Sequence, residues 1–227
     1  MKKNLFFITH LTYKKLECFI FLIFCCFLIY VVISAYLHFI ENIRINSVGK
    51  IVDHEEFINL DTLELATSSI VNIVNSRYVG GYDYELAGNV TNWKHFLDSK
   101  ANTNSESVNF YTLSSQHRPT WPNVYVELAK LAKARSNQEQ FDKNLSLANR
   151  FGPHYPATKL LNVDVAFSDW QQLSGSKRVA ASKQLLQLAS NWNHRSELET
   201  MVTYSEGKNR ICNMLSFNQI RVSSCQN

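Results

Sequence analysis

From Cys18 to Ile40 the chain contains no Asp, Glu, Lys or Arg. As a helix rising about 1.5 Å per residue, that block covers roughly 34 Å, enough to cross a hydrocarbon core of about 30 Å. Residues 41–57 are polar and mixed, and either continue the helix or form a stalk. Beyond them Leu63, Ala66, Ile70 and Ile73 recur at intervals of three and four, the period of one helical face. Gly80-Gly81 is expected to end that segment, since paired glycines disfavour helix. Tyr84, Ala87, Trp93 and Phe96 mark a further short helix or a broken pair, and the Ser/Asn-rich stretch 99–107 reads as a loop or helix entry. Alternating apolar runs bounded by turns do not occur in series. The pattern predicts an all-α chain.

Pro119 and Pro153 stand 34 residues apart, the period of the tetratricopeptide helix–turn–helix repeat. Tyr125, Leu128, Ala129 and Ala132 form one face of a first helix, and Leu145 and Ala148 belong to a second. The small Ala129 and Ala148 let two antiparallel helices approach closely. Gly152 and Pro153 stop the second helix. Phe141 falls where the repeat normally has a small residue, which predicts wider packing there. A partial unit precedes: Ser107, Tyr111, Ser114 and Pro119 fit its second helix. Tyr84, Ala87 and Gly88 fit its first, with a connection about seven residues longer than the repeat's. Downstream, Leu160, Val163, Phe167 and Trp170 form one stripe, and Ala181, Leu185, Leu188 and Trp192 another, joined through Leu173-Ser174-Gly175. Final helices are expected over 195–205 and 208–215. Trp170 and Trp192 are expected to pack between hairpins, and each hairpin leaves an apolar face that only its neighbours can cover. The predicted organisation is an N-terminus over 1–17, a single transmembrane helix over 18–40 and a stalk over 41–57. Stacked, tetratricopeptide-like hairpins then occupy 58–215, followed by a tail over 216–227.

The span is longer than a secretory h-region, and no small-residue cleavage site follows it, so it reads as an uncleaved signal anchor. Lys2, Lys3, Lys14 and Lys15 precede it, which keeps the N-terminus cytoplasmic and exports the body. Of 23 basic and 19 acidic residues, four and one precede residue 41, leaving 19 and 18 for the body. Nothing in that balance implies a nucleic-acid partner. Cys18, Cys25 and Cys26 lie in the span as small apolar residues. Cys212 and Cys225 lie in the exported part, where a disulfide is the favoured reading and would contribute roughly 3 kcal/mol. Two free thiols, or a metal pair without companions, are the alternatives.

No phosphate loop, CxxC, HExxH or nucleophile elbow occurs. The carboxylate pairs Glu55/Glu56, Asp83/Glu85 and Glu197/Glu199 are too closely spaced to face each other on a helix and read as solvated charges. The expectation is a non-enzyme with no catalytic residue, cofactor or metal site. Exposed aromatics could instead bind sugars or proteins. The candidate interaction surface is Arg118, Trp121, Arg150 and Tyr155.

Arg118-Pro119-Thr120-Trp121-Pro122, then Tyr125 and Leu128-Ala129, then Leu147-Ala148-Asn149-Arg150-Phe151-Gly152-Pro153-His154-Tyr155-Pro156, resemble the VpsP-type polysaccharide biosynthesis proteins of Gram-negative bacteria. The resemblance covers about residues 118–175; His154-Tyr155 stands where a Trp-acidic pair is expected. It implies a membrane helix followed by a tetratricopeptide-like periplasmic body. It also implies an inner-membrane accessory role in exopolysaccharide or O-antigen production, with no catalytic residues to carry over. The expected partners are the integral-membrane polymerase or ligase or the export proteins. A general envelope interaction module and a direct glycan-binding module are the alternatives.

Overall fold

The computed structural model describes residues 2–53, 60–76, 79–97 and 104–226, with the side chains of residues 2–18, 53, 60 and 104 excepted. The side chains of the N-terminal lysines and of Cys18, the Glu55/Glu56 pair and most of the Ser/Asn-rich stretch therefore lie outside what the structure describes. The chain is all-α, with ten α-helices and no strand among the described residues. It divides into two compact units, residues 1–76 and 77–227.

In the first unit α1 runs unbroken from Lys2 to Asp53. The polar segment after the apolar block thus continues the helix as far as Asp53. Residues Phe19–Val52 are long and apolar enough to cross a membrane, and no part of their most apolar stretch is buried by protein. Phe19, Ile23, Phe27 and Phe39 all project outward, the inverse of a core helix in water. Helix α2 (Leu60–Val74) buries Leu63, Ala66, Ile70 and Ile73, the face its periodicity predicts. It packs back along the end of α1, where Val48 is buried. Just past α2, the Ser76 hydroxyl donates to the Glu41 carboxylate.

The second unit is a series of paired helices. These are α3 (Gly81–Leu97), α4 (Asn104–His117), α5 (Pro122–Ala134), α6 (Gln138–Phe151), α7 (Pro156–Ser168), α8 (Gly175–Ala189), α9 (Arg195–Tyr204) and α10 (Lys208–Phe217). Helix α3 is one helix, neither short nor broken. It opens at Gly81, so the glycine pair begins this helix instead of ending the previous one, which stops at Val74. No glycine among the described residues has positive φ; the demand at Gly81 is for room. A Cβ there would fall 2.5 Å from Arg118 Cγ. Pro122 and Pro156 start α5 and α7, where a missing N–H costs nothing and the fixed φ suits the first turn. Asn137 and Ser174 cap α6 and α8 by accepting from the N–H groups of Gln140 and Lys177.

Helices α3 and α4 meet almost backbone to ring. A Cβ on Gly88 would lie 2.6–2.9 Å from the fully buried Tyr111 ring, whose hydroxyl donates to Asn89 Oδ1 at 2.8 Å. The Ser114 hydroxyl, also buried, donates to the Gly81 carbonyl at 2.6 Å. In the α5–α6 hairpin Ala129 and Ala148 are completely buried and Phe141 joins them in the core. The third hairpin and the C-terminal helices share another core built on Phe167, Leu185, Leu198, Ile211 and Leu215. Leu160, Val163, Ala181 and Leu188 complete it as their spacing predicts. Trp170 is half-buried against it from a 3-10 turn. Trp192 departs from the expectation. It sits in a second 3-10 turn after α8 has ended and is 81% exposed, because the helix that would have aimed it inward stops at Ala189. The Cys212–Cys225 disulfide ties the tail to α10, with Val222 buried beside it. Across the unit, the Phe96 ring at the end of α3 meets Tyr204 at the end of α9 edge-on at 6.2 Å.

Candidate functional site

The best-organised polar cluster surrounds Glu85. This side chain belongs to the α3 face that also carries Gly81 and Gly88, at i, i+4 and i+7, and that face packs on α4. Glu85 is 4% exposed and Asp83 7%, so neither is the solvated charge that their spacing suggests. Asp83 accepts from the Gly80 N–H at 2.7 Å, closing the first turn of α3. Glu85 has a different environment. Its Oε2 accepts from Arg118 Nη1 at 3.2 Å, while Oε1 accepts from Trp121 Nε1 at 3.1 Å and Asn123 Nδ2 at 2.7 Å. Three donors from the α4–α5 connection and the first turn of α5 therefore converge on one carboxylate of α3. A buried charge is tolerable when its lone pairs are filled this way.

Arg118 also lies over the Trp121 ring, 4.2 Å from its centroid. Trp121 in turn meets Tyr155 edge-on at 5.6 Å. Burial raises the Tyr155 hydroxyl above its usual pKa and the Glu85 charge raises it further, against an opposing effect of Arg118. The phenol is therefore neutral at physiological pH. Tyr111 is raised well above its usual value, first by burial and then by the charges of Glu127 and Glu85.

Three of the four expected surface residues, Arg118, Trp121 and Tyr155, thus come together, and all are half-buried. Arg150 does not join them; it is exposed and lies over Phe151, 5.8 Å from that ring's centroid. Glu85 and Asn123 are the members that sequence reasoning missed. The available signal was a carboxylate on a helical face otherwise marked by glycines. The cluster is a clasp between the first two hairpins, with a cation stacked on an indole at its rim. It presents no nucleophile beside a base. Among the described residues no group of three or more His, Cys, Asp or Glu side chains is placed to hold a metal ion.

Further polar junctions join later helices. Asp164 of α7 pairs with Lys133 of α5 at 3.4 Å and accepts from the Ser205 hydroxyl at 2.5 Å. Asn149 of α6 and Asn162 of α7 exchange amide hydrogen bonds at 3.1 and 2.7 Å. Together with the clasp, these contacts set the register of a helical-repeat body. Comparison with protein-family models, curated proteins and solved structures finds no match for this chain.

Proposed function

We propose that this protein is a single-pass inner-membrane scaffold whose helical-repeat body faces the periplasm and assists exopolysaccharide or O-antigen assembly and export through protein–protein contacts. The observation that carries the reading is a membrane-length apolar helix joined to a series of stacked hairpins. Such series act by offering extended surfaces to partners. The Cys212–Cys225 disulfide supports an oxidising compartment for the body, and the lysines before the span support a cytoplasmic N-terminus. The polysaccharide assignment rests on the resemblance over residues 118–175, and the polymerase, ligase or export proteins of the same bilayer are the proposed partners.

Deletion of the gene tests the role. The expected result is a change in the amount or chain length of surface polysaccharide; an unaltered polysaccharide would remove this reading. A phosphatase reporter fused after Asn46 tests orientation and is expected to be active. A second reading, direct glycan binding, is favoured by the outward-facing Trp192, with Arg195 5.8 Å from its ring centroid. Saturable binding of oligosaccharides to the full chain, lost in Trp192→Ala, would select it.

A further inference from the structure

The outer face of α8 carries features that neither the core nor the Glu85 clasp uses. Between α8 and the 3-10 turn at Trp170 lies an open depression of about 560 Å³. Its floor is apolar, formed by Trp170, Val179 and Leu186, and Val179 is 70% exposed. Arg178 and Lys183 line it, and Lys177 precedes them on a helix that contains no Asp or Glu. No carboxylate lies within ion-pair distance of these three cations among the described residues. Asp169, the residue before Trp170, pairs with none of them. Arg178 is held in place rather than neutralised. Its Nε and Nη2 donate to the Trp170 and Gln171 carbonyls at 3.0 and 3.1 Å, leaving further N–H groups for an acceptor.

The lining positions Arg178, Val179, Ser182, Lys183 and Leu186 recur along one side of α8 at helical spacing, with Ser190 at its C-cap. From Arg178 to Ser190 they extend about 18 Å, roughly three turns of a partner helix. An apolar seat of Val179 and Leu186, two helical turns apart and bordered by cations without counterions, is the complement of a helix with one apolar face bordered by carboxylates. We infer that the α8 groove docks an acidic amphipathic helix of a protein partner, with Val179 and Leu186 as the apolar seat and Arg178 and Lys183 as the charge contacts.

This deepens the scaffold reading by naming its contact surface and the partner's chemistry. The two are separable: peptide binding tests the groove, gene deletion tests the role, and either can fail alone. The probe is a labelled, lactam-stapled 15-residue helix with a leucine stripe flanked by glutamates; its twin has lysines instead. Both are titrated against the full chain in zwitterionic nanodiscs, with empty discs subtracted. The expected result is saturable binding of the glutamate helix, at least tenfold tighter than the lysine helix and weakened by salt. Lys183→Glu should abolish that preference and Val179→Ser should weaken binding at least fivefold. Both side chains are exposed, and unchanged melting of the variants verifies their folding. Equal affinity for the two helices, absent binding, or indifference to both substitutions would overturn the inference. Self-association of the full chain abolished by Val179→Ser would also overturn it, by showing that a second copy covers the groove.

Discussion

Gly88→Ala should destabilise the protein although it replaces a mid-helix glycine with the best helix former. In an unobstructed helix the change would gain about 0.8–1 kcal/mol. Here the added Cβ meets Cε1, Cδ1 and Cζ of Tyr111 at 2.6, 2.8 and 2.9 Å. The ring cannot swing aside, because it is fully buried and its hydroxyl is tied to Asn89. Overpacking of this kind costs about 1–3 kcal/mol, so the net loss is roughly 1 kcal/mol and at most about 2 kcal/mol. At about 2–4 °C per kcal/mol for a chain of this size, Tm should fall by about 2–4 °C, and by no more than about 8 °C. Gly175→Ala is the internal control: nothing lies within 4 Å of its added Cβ at the start of α8, so Tm should hold or rise slightly. The assay is thermal unfolding of the full chain in zwitterionic nanodiscs, followed by tryptophan emission, since Trp121 packs against the Tyr111 cluster. Tyr111→Leu removes the struck ring atoms, so the double variant with Gly88→Ala should be less destabilised than the sum of the single changes. A Gly88→Ala protein melting at or above the parent, or strict additivity in the double variant, would refute the close-approach argument.

Glu85→Ala leaves Arg118, the Trp121 indole and Asn123 without their common acceptor; a loss of about 2–4 kcal/mol is expected by denaturant unfolding, with Glu85→Gln retaining part of it. Cys212→Ser should cost up to about 3 kcal/mol and make the segment after Phe217 the first site of limited proteolysis, whereas equal protease resistance would show that Ile220 and Val222 hold the tail unaided. Glu199 is held below its usual carboxylate pKa, chiefly by Ser223, with Arg195 assisting and burial opposing. A depressed folded pKa gives stability that is present at neutral pH and lost as pH falls through the depressed value, so Ser223 protection in hydrogen exchange should drop in acid, after correction for the intrinsic exchange rate, and Glu199→Gln should remove that pH dependence.

Local periodicity carried much of the fold. Leu63, Ala66, Ile70 and Ile73 name the buried face of α2, and the Pro119–Pro153 interval with Ala129 and Ala148 names the α5–α6 hairpin. The cores of α7 and α8 follow from the same spacing up to the tryptophan that ends each stripe, and α9 and α10 fall within two residues of their expected ranges. The candidate site was legible only in part. Glu85 reaches partners 33 to 38 positions away, and a short carboxylate pair such as Asp83/Glu85 has the same local appearance whether it is solvated or clasped. Trp192 failed for a simpler reason. Extending the α8 stripe past Ala189 assumed a helix that Ser190 and Asn191 end, and the indole follows the turn outward. The groove on α8 was invisible because its constituents come from two segments, and counting charges over the whole body averages its cations away.

The edge-on contact between Phe96 and Tyr204 alters how the repeat body comes apart. A linear array of hairpins frays from whichever end is weaker, each unit melting against a single neighbour. A ring-to-ring closure between α3 and α9 gives the terminal units a second tether, so unravelling at one end is felt at the other. Both rings are largely exposed, so the tether is weak: clipping either aromatic should broaden the unfolding transition slightly and leave the midpoint almost unchanged.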